Sequence, residues 1–203
     1  MRVTIFDYGA GNLHSLGKAL ETADVTVAVE TDPTRAIETD VLVLPGVGAF
    51  GSAAARLAPG RAAMRGAIVD GLPTLGICLG MQLFFYASEE GAGAGLGLIP
   101  GRVSRLAAER VPQIGWNTLL DTQDPLLDAA PLPIAYYANS FVCRPSDPST
   151  VVAWSEHEGD RFPAVVRAGS ALGVQFHPEK SSSAGVRFLH AFLDEARATK
   201  GAR

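Results

Sequence analysis

Basic charge is what this chain most lacks. Across 203 residues, 17 lysines and arginines are outnumbered by 21 aspartates and glutamates, for a net charge of −4. That balance gives no electrostatic reason to expect nucleic acid, and no like-charge block or basic amphipathic stretch suggests a membrane surface. Cysteine is scarce as well, with only Cys78 and Cys143. Counting alone leaves one disulfide open, but a chain of this size without secretory features is expected to keep free thiols. Long apolar runs are few. Only residues 71–88 stay uncharged over the length of a membrane span, and Pro73, three glycines and Gln82 within them fit a buried strand–turn–helix better than a lipid-facing helix. The first seven residues read directly as a strand, so no signal peptide is expected and the predicted location is the cytoplasm.

What the chain has in quantity is glycine (22) and proline (13) beside 47% apolar residues, a composition suited to a globular fold with many tight turns. The length suits one α/β domain over residues 1–203, with no repeat or linker and a frayed end from about residue 200. The first half alternates strand and helix signals. Strands are predicted at 3–7, 25–29, 41–44 and 73–77, with Leu13, Leu16 and Leu20 marking a helix between the first two and helical material running to about Val69. The unbroken apolar run 41–44 is what a strand buried on both faces of a parallel sheet looks like. After Gly101 the pattern changes to short segments separated by turn residues, at 103–106, 134–141, 151–155, 164–166 and 172–176, predicting a mixed or antiparallel addition. A final helix carries Val186, Leu189, Phe192 and Leu193 on one face, with Ser181, Ser182 and Ser183 as capping chemistry at its start. The fold class is therefore α/β, a mostly parallel sheet flanked by helices, with sites at the carboxyl ends of its strands.

The most informative segment is Gly76-Ile77-Cys78-Leu79-Gly80-Met81-Gln82. An apolar strand runs into a cysteine flanked by glycines, the pattern of a sharp strand-to-helix turn with a nucleophile at its apex. A thiol placed there is exposed at the sheet edge and lies near a helix N-terminus, which favours thiolate. Cys143 carries no such context and reads as a buried structural cysteine. The second segment, Gly173-Val174-Gln175-Phe176-His177-Pro178-Glu179-Lys180-Ser181, ends a strand on an imidazole with a carboxylate two residues on. His177 alone reads as a satisfied core or turn histidine. With Cys78 and Glu179 it completes a nucleophile, an acid/base and the group that fixes the imidazole tautomer. The third segment, Pro45-Gly46-Val47-Gly48-Ala49-Phe50, follows a buried strand, so its backbone N–H groups can face an oxyanion, with the Leu79 amide as a second donor. A plain Pro-Gly turn is the simpler account of that loop. Neither it nor Gly9-Ala10-Gly11-Asn12 has the spacing of a dinucleotide fingerprint, and no cofactor or metal is expected.

The Cys78 and His177 segments together resemble the class I (triad) glutamine amidotransferases. Further strings are similar to one group within them, the glutaminase subunits of imidazole glycerol phosphate synthase: Asp7 to Leu13, Pro45 to Phe50, Gly95 to Gly101, Gly115-Trp116-Asn117, and His177 to Ser182. The resemblance runs from Phe6 to about Leu193. It implies a flavodoxin-like amidotransferase fold and a glutaminase in which Cys78 attacks glutamine, His177 is the acid/base and Glu179 orients it. It implies oxyanion amides at Val47 and Leu79, and glutamine-holding positions at Gly46, Gly48, Gln82, Glu90, Ser140 and Phe141. Glu90 suits a substrate ammonium, although with Glu89 beside it a solvated helix end is the simpler account. The implied partner is a (β/α)8-barrel cyclase in a heterodimer. Asn12, Trp116, Asn117, Tyr136 and Lys180 would face that cyclase, although aromatics such as Trp116 and Tyr136 are usually core.

Two positions depart from the pattern that the resemblance sets. Family members commonly carry histidine where this chain has Gln113 and Asn139. Two other classes stay open at this point: a different enzyme on the same sheet (a triad peptidase or another pathway's glutaminase subunit), or a catalytically silent binding scaffold. The loop 45–50 argues against the glutaminase subunit of pyridoxal phosphate synthase, and the intact triad residues argue against the scaffold.

Overall fold

The protein is described from a computed structural model covering residues 1–9 and 13–201, with side chains to residue 199. Its first half runs β1 (Arg2–Phe6), α1 (His14–Leu20), β2 (Thr26–Glu30), α2 (Pro33–Ala36), β3 (Val41–Leu44), α3 (Phe50–Leu57), α4 (Arg61–Val69), β4 (Thr74–Ile77) and α5 (Leu79–Gln82). The second half runs β5 (Ala87–Ser88), β6 (Gly101–Arg105), β7 (Gln113–Thr118), α6 (Pro125–Ala129), β8 (Ile134–Asn139), β9 (Phe141–Pro145), β10 (Val151–His157), β11 (Asp160–Ala168), β12 (Ala171–Val174) and α7 (Ser182–Gly201).

Seven strands form one sheet in the order β10-β11-β12-β4-β3-β1-β2. The β12–β4, β4–β3, β3–β1 and β1–β2 pairs are parallel, whereas β10–β11 and β11–β12 are antiparallel. The alternation along β3 shows why its apolar run is continuous. Val41 and Val43 join the core beneath α1 and α7, while Leu42 and Leu44 join the core beneath α3 and α4. Both faces of the sheet are thus covered, as parallel strands require. β3, β4 and β12 are neighbours, with Leu44 opposite Gly76 and Ile77 opposite Val174. Their carboxyl ends therefore deliver three loops to one place.

Beside this sheet stand a three-stranded sheet, β5-β6-β9, and a two-stranded ribbon, β7-β8. The ribbon has one face on the core. Tyr137 is fully buried, edge-on to Phe162 at 6.0 Å and to Phe176 at 5.9 Å, and Phe176 meets Phe188 of α7 at 5.7 Å. Its phenol donates to Ser155 Oγ (2.6 Å), which donates on to the Thr118 carbonyl, so the one polar tip in this aromatic row is satisfied.

Several elements differ from the sequence pattern. The helix after Cys78 is a single turn, so the dipole at its start is weak and backbone position matters more there than helix charge. The segment 134–141 is two strands broken at Ser140, and β7 carried no clear strand signal. Helical material up to Val69 is interrupted at Ala58-Pro59-Gly60, where Pro59 opens a 3-10 turn. Helix α7 runs to Gly201, and residues 202 and 203 lie outside the described residues. The Ser181 hydroxyl does not cap α7. It accepts from Tyr136 N–H (2.9 Å) and donates to the His177 carbonyl (2.7 Å), because a buried hydroxyl between these two backbone segments satisfies more there than it would at the helix start. Among the described residues, no helix is long and apolar enough to cross a membrane, and both cysteines are free.

A buried ion pair fastens the antiparallel edge to the helical layer. Arg167 on β11 makes two bonds to Asp124 (2.6 and 2.9 Å) and reaches Glu195 of α7 at 2.8 Å. Asp124 is 2% exposed and also caps α6 through Leu126 N–H. Asp124→Ala therefore removes a cap and leaves Arg167 with only its more exposed partner. The expected loss is about 3 kcal/mol of unfolding free energy, read by urea denaturation, with Glu195→Ala costing roughly 1 kcal/mol or less.

Candidate active site

Cys78 occupies the apex between β4 and α5 with φ +47° and ψ −103°, a backbone conformation that a side-chain-bearing residue adopts only under strain, at a cost of about 1–3 kcal/mol. Its amide is held by the Val174 carbonyl at 2.6 Å, and its own carbonyl accepts from Gln82 N–H at 3.1 Å. The flanking glycines are needed because backbones meet there. A Cβ on Gly80 would lie 2.0 Å from the Leu44 carbonyl oxygen, and one on Gly76 would lie 2.7 Å from the Gly80 backbone. Leu79, first residue of α5, has an N–H with no carbonyl partner inside its helix.

The loop after β3 packs against this apex. A Cβ on Gly46 would meet His177 Cε1 at 2.8 Å and Cys78 Cβ at 3.0 Å, so glycine is the residue that lets nucleophile and imidazole approach. Two side chains far away in sequence hold the loop at its ends. Tyr8, 4% exposed, donates its hydroxyl to the Pro45 carbonyl. Glu90 Oε2 accepts Phe50 N–H at 2.8 Å and so caps α3, whose own preceding residue, Ala49, offers no side-chain cap. The solvated helix end that the sequence allowed for Glu90 is not what it occupies. Gly48, at φ +105°, completes the turn, and Val47 is half-buried between the two glycines.

His177 enters from β12. Its N–H donates to the Tyr136 carbonyl (2.8 Å), and its carbonyl accepts from the Ser181 hydroxyl and from Lys180 N–H. Its Nδ1 lies 2.9 Å from Glu179 Oε1, both side chains being nearly inaccessible. Burial alone would push this imidazole toward neutrality. The hydrogen bonds and charges of Cys78 and Glu179 outweigh it and raise the His177 pKa to about 10. The resting ring is therefore an imidazolium beside Glu179. Tyr8, by contrast, is driven well above the usual phenol range, first by burial and then by the negative charge at Cys78, so it stays a hydrogen-bond donor.

In front of Cys78 lies a cleft of about 200 Å³. It is lined by Gly46, Gly48, Cys78, Leu79, Gln82, Glu90, Ser140 and Phe141, which gathers the six positions expected to hold glutamine with the expected nucleophile and one expected oxyanion position, together with Ala138 and Asn139. Gln82 Nε2 (3.1 Å) and Asn139 Nδ2 (3.2 Å) both donate to the Phe141 carbonyl and so tie α5 and β8 to β9 across the cleft wall. The two departures from the family pattern are cross-strand partners: Gln113 of β7 lies opposite Asn139 of β8, both buried. A larger groove of about 590 Å³ opens beside Gly71, Pro73 and Ser170, at the opposite ends of β4 and β12 and away from all of this chemistry.

The expected partner-facing residues fall outside the cleft. Trp116 is half-exposed and stands edge-on to Tyr136 (6.1 Å), its cross-strand neighbour. Asn117 turns its amide inward, donating to the Glu156 carbonyl at 2.8 Å, which leaves the aromatic pair as the more available surface. Lys180 is exposed in the turn Pro178–Lys180, and Asn12 lies outside the described residues. Sequence reasoning missed Tyr8, Gln175 and Ser181 as parts of the site. Tyr8 and Gln175 stood inside strings already singled out, but their contacts span the chain.

Residues 4–196 match the family described as glutamine amidotransferase class-I. The chain is 44% identical over 202 residues to the imidazole glycerol phosphate synthase subunit HisH of Halobacterium salinarum, covering 95% of this chain and 92% of that protein. It is 46% identical over 194 residues to the protein of the same name from Symbiobacterium thermophilum, covering 93% and 91%. A solved structure described as a glutamine amidotransferase superposes with a TM-score of 0.73 at 20% identity, covering 96% and 98% of the two chains, a likeness of fold alone.

The imidazolium has a direct test. In an NMR titration, the His177 ring is expected to lose its proton near pH 10 and, in Cys78→Ala, about one unit lower or more. Because the folded value lies above the unfolded one of about 6.5, the stabilisation it brings is complete below that pH and is lost as pH rises through about 10. A ring already neutral at pH 8 in the native protein would contradict the ion pair.

Proposed function

This chain belongs to the class I glutamine amidotransferases, and within them to the HisH subunits of imidazole glycerol phosphate synthase; from that premise we propose that Cys78 releases ammonia from glutamine for a cyclase subunit docked on the β7–β8 ribbon. The observation that carries the reading is the Cys78–His177–Glu179 line at the end of a cleft sized for a small substrate.

The chemistry follows from the charge arrangement. The Cys78 sulfur attacks the carbon of the glutamine carboxamide, and the amides of Val47 and Leu79 receive the oxyanion. As the tetrahedral species collapses, the C–N bond breaks and His177 gives its proton to the departing nitrogen, so ammonia leaves and a glutamyl thioester remains. Water then attacks the thioester, His177 takes its proton, and the C–S bond breaks to return the thiolate and free glutamate. Glu179 stabilises the imidazolium at each stage in which it is charged. Gly46, Gly48, Gln82, Glu90, Ser140 and Phe141 hold the substrate, with Glu90 supplying negative charge toward its ammonium group while its other duty, capping α3, fixes the oxyanion loop.

The partner would be the (β/α)8-barrel cyclase, using the ammonia to form imidazole glycerol phosphate and the aminoimidazole carboxamide ribotide. The ribbon supports this assembly. Ile114, Trp116 and Ile134 are 68%, 51% and 47% exposed on one face of β7–β8, beside Tyr136 and opposite the face that packs on the core. An apolar patch of that kind, with Trp and Tyr at its centre, has the composition of a protein contact. The part of the pattern that differs, Gln113 and Asn139, lies on the inner face of the same ribbon.

Three experiments test this reading. Glutaminase activity is expected to be slow in the isolated chain and much faster with the cyclase and its nucleotide substrate; equal, substantial rates with and without the partner would remove the coupling. In the complex, Cys78→Ser is expected to abolish glutamine-dependent synthesis while synthesis from added ammonium persists, and loss of both would give Cys78 a role in assembly instead. Trp116→Ala, at an exposed position, is expected to weaken cyclase binding by about tenfold or more without lowering the melting temperature, as measured by titration calorimetry and thermal unfolding.

A further inference from the structure

Gln175 is a buried amide with an unusual allocation of its two ends. The residue is fully buried. Its Nε2 lies 3.4 Å from Cys78 Sγ, and its Oε1 has no hydrogen-bond partner. Register explains the contact. Ile77 and Val174 are paired on the parallel strands β4 and β12, so the next residues, Cys78 and Gln175, leave the sheet side by side, and Cys78 N–H bonds back to the Val174 carbonyl.

An amide with one unpaired end is a poor choice for a packed interior, where an apolar residue of the same shape carries no desolvation penalty. Its placement makes sense through its other end. We propose that Gln175 is a catalytic residue whose side-chain N–H donates to the Cys78 sulfur and stabilises it as a thiolate. The orientation follows from charge, because the amide oxygen in that place would face a negative sulfur. His177 supplies positive charge at the thiol. Tyr8 and Cys143 both sense the charge at Cys78, but burial first of all raises each well above its usual range and keeps it neutral, and Glu90 lines the same cleft as a further acidic group. A neutral donor therefore adds to the imidazolium without competing for the proton.

The consequence falls unequally on the two halves of the reaction. When the C–S bond forms, the sulfur loses its negative charge and the Gln175 bond weakens. When water has added to the thioester and the C–S bond breaks, the sulfur leaves as a thiolate and the bond is restored. Gln175 thus moderates the attack and assists the departure, making thioester hydrolysis the step that depends on it. This role rests on Cys78 being the nucleophile.

The test is the pH profile of Cys78 alkylation by iodoacetamide, followed by mass spectrometry with Cys78→Ala as the blank. Alkylation needs neither glutamine nor the partner, so the profile is readable whatever becomes of the glutaminase assignment. Gln175→Met, which keeps the shape and removes the donor, is expected to move the alkylation midpoint up by about one pH unit, roughly a tenfold lower rate on the acid limb. Gln175→Glu is expected to move it further, since a carboxylate replaces the donor with a like charge. A merely structural role predicts the opposite pairing of results: a lower melting temperature and an unmoved profile. Removing the unpaired oxygen should leave the Gln175→Met melting temperature level or higher. In the active complex the same variant should accumulate glutamyl thioester on acid quench. An unchanged or downward-shifted profile in the folded variants would overturn the proposal.

Discussion

The site depends on how closely three backbones can approach at the ends of β3, β4 and β12. Between the Leu44 carbonyl and Gly80 there is no room for a methyl group, and between Gly46 and His177 there is almost none. These contacts set the height at which the strand from Thr74 to Ile77 must stop and turn, and they force Cys78 into a positive-φ conformation that nothing local favours. The strain is sustained because Thr74 to Phe85 is buried without interruption, so the apex cannot relax without unpacking both cores. A thiol at such an apex faces the cleft instead of packing into the sheet. The single-turn α5 contributes little dipole, so the sequence's expectation of a thiol governed by helix charge gives way to one governed by specific partners.

Those partners work because they are dry. His177 and Glu179 are nearly inaccessible, and burial by itself would strip the imidazole of its proton. The hydrogen bonds and charges of Cys78 and Glu179 reverse that outcome and keep the ring protonated, with Nδ1 bonded to Glu179. The loop carrying Val47 is held with the same economy. Tyr8 grips its start and Glu90 its end, so a segment with two glycines has few ways to move as a body.

The sequence made the parallel half of the sheet legible because strands buried on both faces are continuous apolar runs, and it made the triad legible because Cys78, His177 and Glu179 sit in two compact motifs. It concealed whatever depends on contacts between distant segments. β7 alternates Gln, Ile, Gly, Trp, Asn and Thr around a glycine at φ +131°, and only pairing with β8 makes it a strand. Ser140 interrupts what reads as one apolar strand because the chain must turn there to place β9 beside β6. Glu90 caps a helix 40 residues away, and Gln175 reaches a sulfur 97 residues away. Ser181 was legible as a polar residue before a helix but not as the link between Tyr136 and His177, because its two bonds run to those two backbone segments instead of to its own helix.

The two side chains proposed to be catalytic are also anchored to parts of unequal stiffness. Cys78 follows β4, a central strand with neighbours on both sides and cores on both faces. The His177 backbone is pinned from the other side by Tyr136, directly through its carbonyl and again through the Ser181 hydroxyl. Tyr136 belongs to a two-stranded ribbon, and a lone ribbon is marginally stable unless something packs on it. Its inner face is packed through Tyr137, but its outer face leaves Ile114, Trp116 and Ile134 in water. Covering that face restricts the strand that positions the imidazole while leaving the thiol where β4 holds it. Burial of the ribbon's outer surface therefore bears on the distance between the proposed acid/base and the proposed nucleophile.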